Sequence, residues 1–177
     1  MTGRINTYRA AVPATLRPLM PALKTCEAQL GRFDLDRLEK TSLRTPAVLV
    51  GILAAPLKVN ANATSSVFIE VAAFAVTGGP EAKRDDAAWA IAEVIAATAH
   101  STQRWGLDDI GEIEKVKISP VLSSALSDRG VSIVVVQWTQ KLNGIGTAIL
   151  EAGVLPPEVY INDEEVSLDD LFEEAAP

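Results

Sequence analysis

The chain has 177 residues, 48% of them hydrophobic, with a single histidine, His100, and a single cysteine, Cys26. That length closes one core burying roughly 70% of the extended-chain surface without a disulfide or a metal, while metal ligation by His or Cys, thiol redox chemistry and the common triads need more imidazole and thiol than this. The net charge of −7 is unevenly spread: residues 1–150 hold all 16 Lys and Arg against 14 Asp and Glu, and residues 151–177 hold nine acids and no base.

The division predicts one folded domain over 1–150 and an acidic C-terminal arm over 151–177. No stripe of Lys and Arg with interleaved aromatics is present, so sequence-specific nucleic-acid binding is not expected, although DNA merely passing the protein is compatible with the composition. Lys58, Glu70, Lys83 and Glu93 interrupt the richest apolar stretches before they reach the ~18 residues of a membrane span. The first residues, Met1 to Asn6, lead into mixed polar residues and prolines instead of an apolar run, so a secretory signal is not expected. The lone cysteine fits a reducing compartment, and the expectation is a protein made in the cytoplasm.

From 5 to 23, Ile5, Tyr8, Val12, Leu16, Leu19, Met20 and Leu23 keep a helical spacing, and Pro13, Pro18 and Pro21 predict a helix that kinks or ends early. Residues 23–28 read as a short edge strand, and 33–40 as a loop with a helical turn. Pro46 opens the run Ala47-Val48-Leu49-Val50-Gly51-Ile52-Leu53-Ala54, a strand buried on both faces, which Pro56 ends. Residues 57–65 lack periodicity and read as a loop longer than a hairpin needs. The next strand, 66–77, sets Val67, Ile69, Val71, Ala73 and Ala75 on one face and Phe68, Glu70, Ala72, Phe74 and Val76 on the other.

After Gly78-Gly79-Pro80 a helix is predicted over about 85–103, with Asp85 and Asp86 in its first turn, where they complement the positive end of the dipole. Ala88, Ile91, Ala92, Ile95, Ala99 and Thr102 form its core stripe. Trp89, Ala96 and His100 form a second stripe about 100° away, read either as the rim of the core or as a subunit contact. A turn holding Asp108-Asp109 precedes a half-buried strand in which Ile113, Lys115, Lys117 and Ser119 alternate with Glu114, Val116 and Ile118. The last long strand, 131–142, places Val134, Val136 and Trp138 on one side and Val131, Ile133 and Val135 on the other. In the tail, Val159, Tyr160 and Ile161 read as a short strand or hairpin, followed by a helical turn capped by Ser167 and carrying Leu168, Leu171 and Phe172.

None of the short motifs carries chemistry. Gly144-Ile145-Gly146-Thr147-Ala148-Ile149 opens like a dinucleotide fingerprint but has Ile149 where Gly or Ala is wanted, and too little chain follows for a βαβ unit. Asn62-Ala63-Thr64 fits the glycosylation pattern without a secretory context. The acid pairs Asp85-Asp86, Asp108-Asp109, Glu164-Glu165 and Asp169-Asp170 read as solvated or helix-start charges, since adjacent acids on a strand point to opposite faces. No catalytic residue, cofactor site or metal site is expected.

The order helix, strand pair, alanine-rich helix, strand pair and appended tail resembles the tail terminator and tail-completion proteins of long-tailed bacteriophages, and more narrowly the Mu-like type. The resemblance is carried by Arg44-Thr45-Pro46-Ala47-Val48-Leu49-Val50, Phe68-Ile69-Glu70-Val71-Ala72-Ala73-Phe74-Ala75-Val76, Ala88-Trp89-Ala90-Ile91-Ala92-Glu93-Val94-Ile95 and Val134-Val135-Val136-Gln137-Trp138-Thr139-Gln140, and covers about residues 5–145. It implies an α+β fold, a mainly antiparallel sheet of four to five strands flanked by helices, without enzymatic activity. It also implies a homohexameric ring in the neck of the virion, in contact with the tail tube protein and the head-tail connector or stopper protein, through which genomic DNA passes; no membrane partner is implied. Trp89, Ala96, His100, Val159, Tyr160, Ile161, Leu168, Leu171 and Phe172 are the candidate interface residues. A neighbouring neck protein, an adaptor whose acidic tail docks a basic partner, and an enzyme using carboxylates alone are the other readings.

Overall fold

The computed structural model describes residues 3–29, 43–59, 65–122, 126, 130–145, 159–161 and 164–166. The chain falls into two compact units, Met1–Ile145 and Gly146–Pro177. In the first, helix α1 (Arg4–Leu16) and a 3-10 turn (Arg17–Leu19) precede strands β1 (Thr25–Ala28), β2 (Ala47–Ala54), β3 (Leu57–Val59) and β4 (Ser65–Gly78). Helix α2 (Glu81–Thr98) and strands β5 (Ile110–Pro120) and β6 (Val131–Ile145) complete it. The fold is α+β, with a six-stranded, mostly antiparallel sheet in the order β1-β2-β4-β6-β5, and β3 paired to β4 beyond the end of β2. Among the described residues only β1 and β2 run parallel. The second unit holds β7 (Val159–Ile161) and β8 (Glu164–Val166), an antiparallel pair.

Period-2 patterning decides the two faces of the sheet. Val67, Ile69, Val71, Ala73 and Ala75 of β4 meet Val48 and Val50 of β2 and Val134, Val136, Trp138 and Leu142 of β6 in the main core, under both helices. Ala72, Phe74 and Val76 turn the other way and join Ala47, Leu49, Ile133 and Val135, with Leu126 over them. Both expected faces of β4, and both of β6, are those observed.

Helix α1 buries Tyr8, Val12 and Leu16, spaced four apart along one stripe. It ends at Leu16, because Pro18 cannot donate to a continuing helix, and the chain tightens into the 3-10 turn. Helix α2 begins four residues before the expected start. Gly79-Pro80 breaks β4, the fixed φ of Pro80 suits a helix entry, and the Arg84 amide donates to the Pro80 carbonyl at 3.0 Å. Asp85 and Asp86 therefore lie in the second turn. The helix stops at Thr98, where Ala99 leaves helical ψ, so Thr102 falls outside the stripe of Ala88, Ala92, Ile95 and Ala99 that packs on β4 and β6.

Two expectations are corrected. Leu57–Val59 is not loop but β3, with Leu57 opposite Val67 and Val59 opposite Ser65, which opens β4; the sheet accordingly has one strand more than expected, and residues 60–64 lie outside the described residues. The alternation assumed for β5 is also broken, since two bulges each insert one residue. Gly111 and Glu112 together oppose Lys141, and Lys115 and Val116 together oppose Trp138. Lys115 takes φ 56° to make the second. Ile110, Ile113 and Ile118, spaced irregularly, thereby all reach the main core, whereas strict alternation puts Ile113 and Ile118 on opposite faces. The predicted turn over 33–40, the Gly146–Ile149 motif positions and the Ser167 cap lie outside the described residues.

Candidate functional site

The side chains that combine polarity with burial form two networks. In the first, Gln140 of β6 sits in the main core and its amide is fully used. Oε1 accepts from Tyr8 Oη at 2.8 Å and from Trp105 Nε1 at 2.9 Å, and Nε2 donates to the carbonyls of Gln103 and Gly111, each at 2.9 Å. Trp138 Nε1 donates to Tyr8 Oη at 3.0 Å, and the Trp105 and Trp138 rings stack with centroids 5.6 Å apart. Burial pushes the Tyr8 hydroxyl well above the usual tyrosine range, since a phenolate here would lose its hydration. The network ties α1, the α2–β5 loop, β5 and β6 together; with every polar atom engaged inside the core, its role is architectural.

The second network lies where β4 ends and α2 begins. Arg84, 8% exposed, donates from Nε to Ser132 Oγ at 3.0 Å and lies beside the Asp85 carboxylate at 3.5 Å. Ser132 Oγ also donates to Asp85. Thr77 Oγ1 donates to the Arg84 carbonyl at 2.7 Å. Arg84, Asp85 and Ser132 line a cleft of about 390 Å³ together with Trp89, Val121, Leu122 and Leu126. Leu122 is 88% exposed and Trp89 41%, so the cleft presents an apolar rim around an internally neutralised Arg84–Asp85 pair.

A separate apolar patch occupies the opposite end of the sheet. Leu57 and Val59 of β3 are 59% and 67% exposed. Paired with Val67 and Ser65, they stand on the helix-bearing face, and Phe68, also exposed, stands on the other.

Of the sequence-predicted residues, Trp89 reaches the surface at the cleft. Ala96 is half-buried against the main core and does not share that surface, because it lies closer than Trp89 to the buried stripe of α2. His100 is exposed just beyond α2, with Nδ1 2.9 Å from Thr102 Oγ1, and is not gathered with Trp89. Val159, Tyr160 and Ile161 form β7; Leu168, Leu171 and Phe172 lie outside the described residues. The sequence reading missed Arg84, Ser132 and Leu122, which lack any local pattern, and it missed the strand character of Leu57 and Val59, whose spacing of two beside Lys58 was the available signal for β3.

Asp108 and Asp109 act through their backbone: Arg4 donates from Nη2 to the Asp108 carbonyl at 2.9 Å, and the Asn143 amide donates to the Asp109 carbonyl at 3.1 Å. Cys26 is half-buried, its thiol facing the Pro13 carbonyl at 3.4 Å, and burial raises its pKa. Among the described residues no three His, Cys, Asp or Glu side chains gather as a metal site would require, and no helix is long and apolar enough to cross a membrane. Compared with protein-family models and with curated proteins, the chain matches none.

Proposed function

We propose that this chain is a structural virion protein of a long-tailed bacteriophage, the tail terminator, six copies of which close a ring that ends the tail tube and offers the surface to which the head joins. The observation that carries this reading is the placement of two dissimilar apolar patches at opposite ends of β4, Leu57 with Val59 at one end and Trp89 with Leu122 at the other. They are separated by roughly 35 Å at the rise of a strand. Two unlike patches give the subunit unlike ends, and a head-to-tail ring joins unlike surfaces of neighbouring subunits and closes when the rotation allows. A two-fold dimer needs only one self-complementary patch. The α+β sheet with helices α1 and α2 on one face agrees with the architecture that the resemblance implies.

In this role the protein acts through surfaces, contacting the tail tube protein on one side of the ring and the head-tail connector on the other, while DNA passes without being read. Native mass spectrometry or light scattering of the purified full-length chain is expected to give six copies, and deletion of the gene from its phage is expected to leave tails that fail to join heads. A stable monomer that binds a specific basic protein would replace this reading with that of an adaptor. Infectious particles of normal yield from the deletion would end it.

A further inference from the structure

We propose that the outer edge of β2 and β3 receives the β7–β8 hairpin of a second copy, so that neighbouring subunits are joined by strand addition; this rests on the ring reading above. Strand β1 pairs with β2 only over Ala47 to Val50. Among the described residues, no strand pairs with the outer side of Gly51–Ala54 or of β3. The Phe68 amide donates to the Pro56 carbonyl at 3.0 Å, which marks Pro56 and Phe68 as a hydrogen-bonded pair. Such pairs alternate in an antiparallel ladder, so Lys58 with Ser66 is the next, and Leu57 and Val59 direct their N–H and C=O groups away from β4. Among the described residues, the edge therefore offers backbone donors and acceptors without a strand partner beside two exposed apolar side chains, the combination that a strand-adding partner uses.

The other edge of the sheet does not compete. The two bulges of β5 break its ladder at Gly111-Glu112 and Lys115-Val116, and bulges are a recognised way of blunting an edge.

Three observations choose the hairpin as occupant. A two-stranded ladder of three residues per strand is marginal by itself in water and gains most from a third strand. Its sequence, Val159-Tyr160-Ile161 and Glu164-Glu165-Val166, joins apolar residues to acids in a segment without any base, while Lys58 stands at the centre of β3 between Leu57 and Val59. The chain also leaves the sheet close to this edge: Ile145, the last residue of β6, and Val59 both face Ser65 across β4's two sides. The 13 residues from 146 to 158 span up to roughly 43 Å when extended, which is enough to reach another subunit.

The test uses two full-length populations, both Cys26→Ser, one carrying Val59→Cys and the other Ile161→Cys, mixed and treated with a short bis-maleimide whose flexibility tolerates an unknown register. Covalent dimers that form only in the mixture are the expected result. Absence of dimers in the mixture overturns the proposal, as does a doubly substituted chain that links only within itself. In parallel, Val59→Pro removes one outward amide and leaves the bonds to β4 intact; it is expected to raise the concentration for half-assembly by roughly tenfold, with an unchanged far-UV spectrum. Unaltered assembly of a folded Val59→Pro chain counts against strand addition. A six-copy ring that forms without the cross-link sinks this inference alone, whereas cross-linked dimers or open chains without a closed ring sustain it and sink the terminator reading.

Discussion

The two edges of the central sheet are built on opposite principles. Along β5, individual side chains dictate the shape: Gly111 and Lys115 make the bulges, and Gln140 holds the Gly111 carbonyl against the β6 core. Along β2 and β3 the backbone is regular beyond the irregularity at Leu53, and apolar side chains stand in solvent. The first edge is expensive to alter and indifferent to partners; the second is cheap to alter and matters only when a partner is present. A sheet that protects one edge and leaves the other sticky has a direction, which is what assembly into a ring demands.

The largest effect is expected at Gln140. Gln140→Leu keeps the volume but leaves the Tyr8 hydroxyl, the Trp105 indole and the carbonyls of Gln103 and Gly111 without this partner inside the core. The expected loss, read by urea denaturation of the full chain, is about 3–5 kcal/mol. Next comes Gly111→Ala, whose new methyl group would lie 2.9 Å from Lys141 Cβ. Relieving that clash moves a bulge, at an expected cost of about 1–3 kcal/mol by the same measurement. If both variants melted like the parent protein, the idea of a β5 edge specified residue by residue would fail.

A smaller effect comes from pH. Because burial raises the pKa of Tyr8 above its ordinary value, the folded state keeps this proton when the unfolded chain releases it. The stabilising contribution is complete below pH ~10, the ordinary tyrosine value, and declines as the pH rises further, since the unfolded state is then favoured by ionisation. Tyr8→Phe is expected to lower stability near neutrality by about 1–2 kcal/mol and to remove part of the alkaline decline, which equilibrium unfolding at pH 8 and pH 11 would reveal. An alkaline decline identical in the two proteins would assign it to other groups.

The smallest effect on the isolated chain, and the sharpest contrast, is expected at β3. Leu57→Lys alters a solvent-exposed side chain and should shift folding stability by no more than about 0.5 kcal/mol, yet abolish assembly detected by light scattering. Destabilisation comparable to that of Gln140→Leu would mean that β3 belongs to the folded core of its own subunit.

Much of this architecture can be read from local pattern. The alternation from Val67 to Val76 identifies both faces of β4, the alanine stripe identifies the buried side of α2, and the shift from a nearly neutral body to nine acids without a base sets the last 27 residues apart. These features are legible because burial on a pleated or helical surface imposes a period on the residues themselves. The β5 bulges, the pairing of β3 and the Gln140 network leave no such period. Gln140 meets Tyr8 across 132 positions and Trp105 across 35, and the phase of β5 is set by where β6 places Gln140, Trp138 and Val136 beside it. Trp89 and Ala96 differ in burial although one wheel groups them, because a helical wheel gives angles but not the depth to which a neighbouring sheet rises around them. Local chemistry thus established which residues seek the interior, and the packing of distant segments settled which edge was closed, which was left open, and which polar groups found partners.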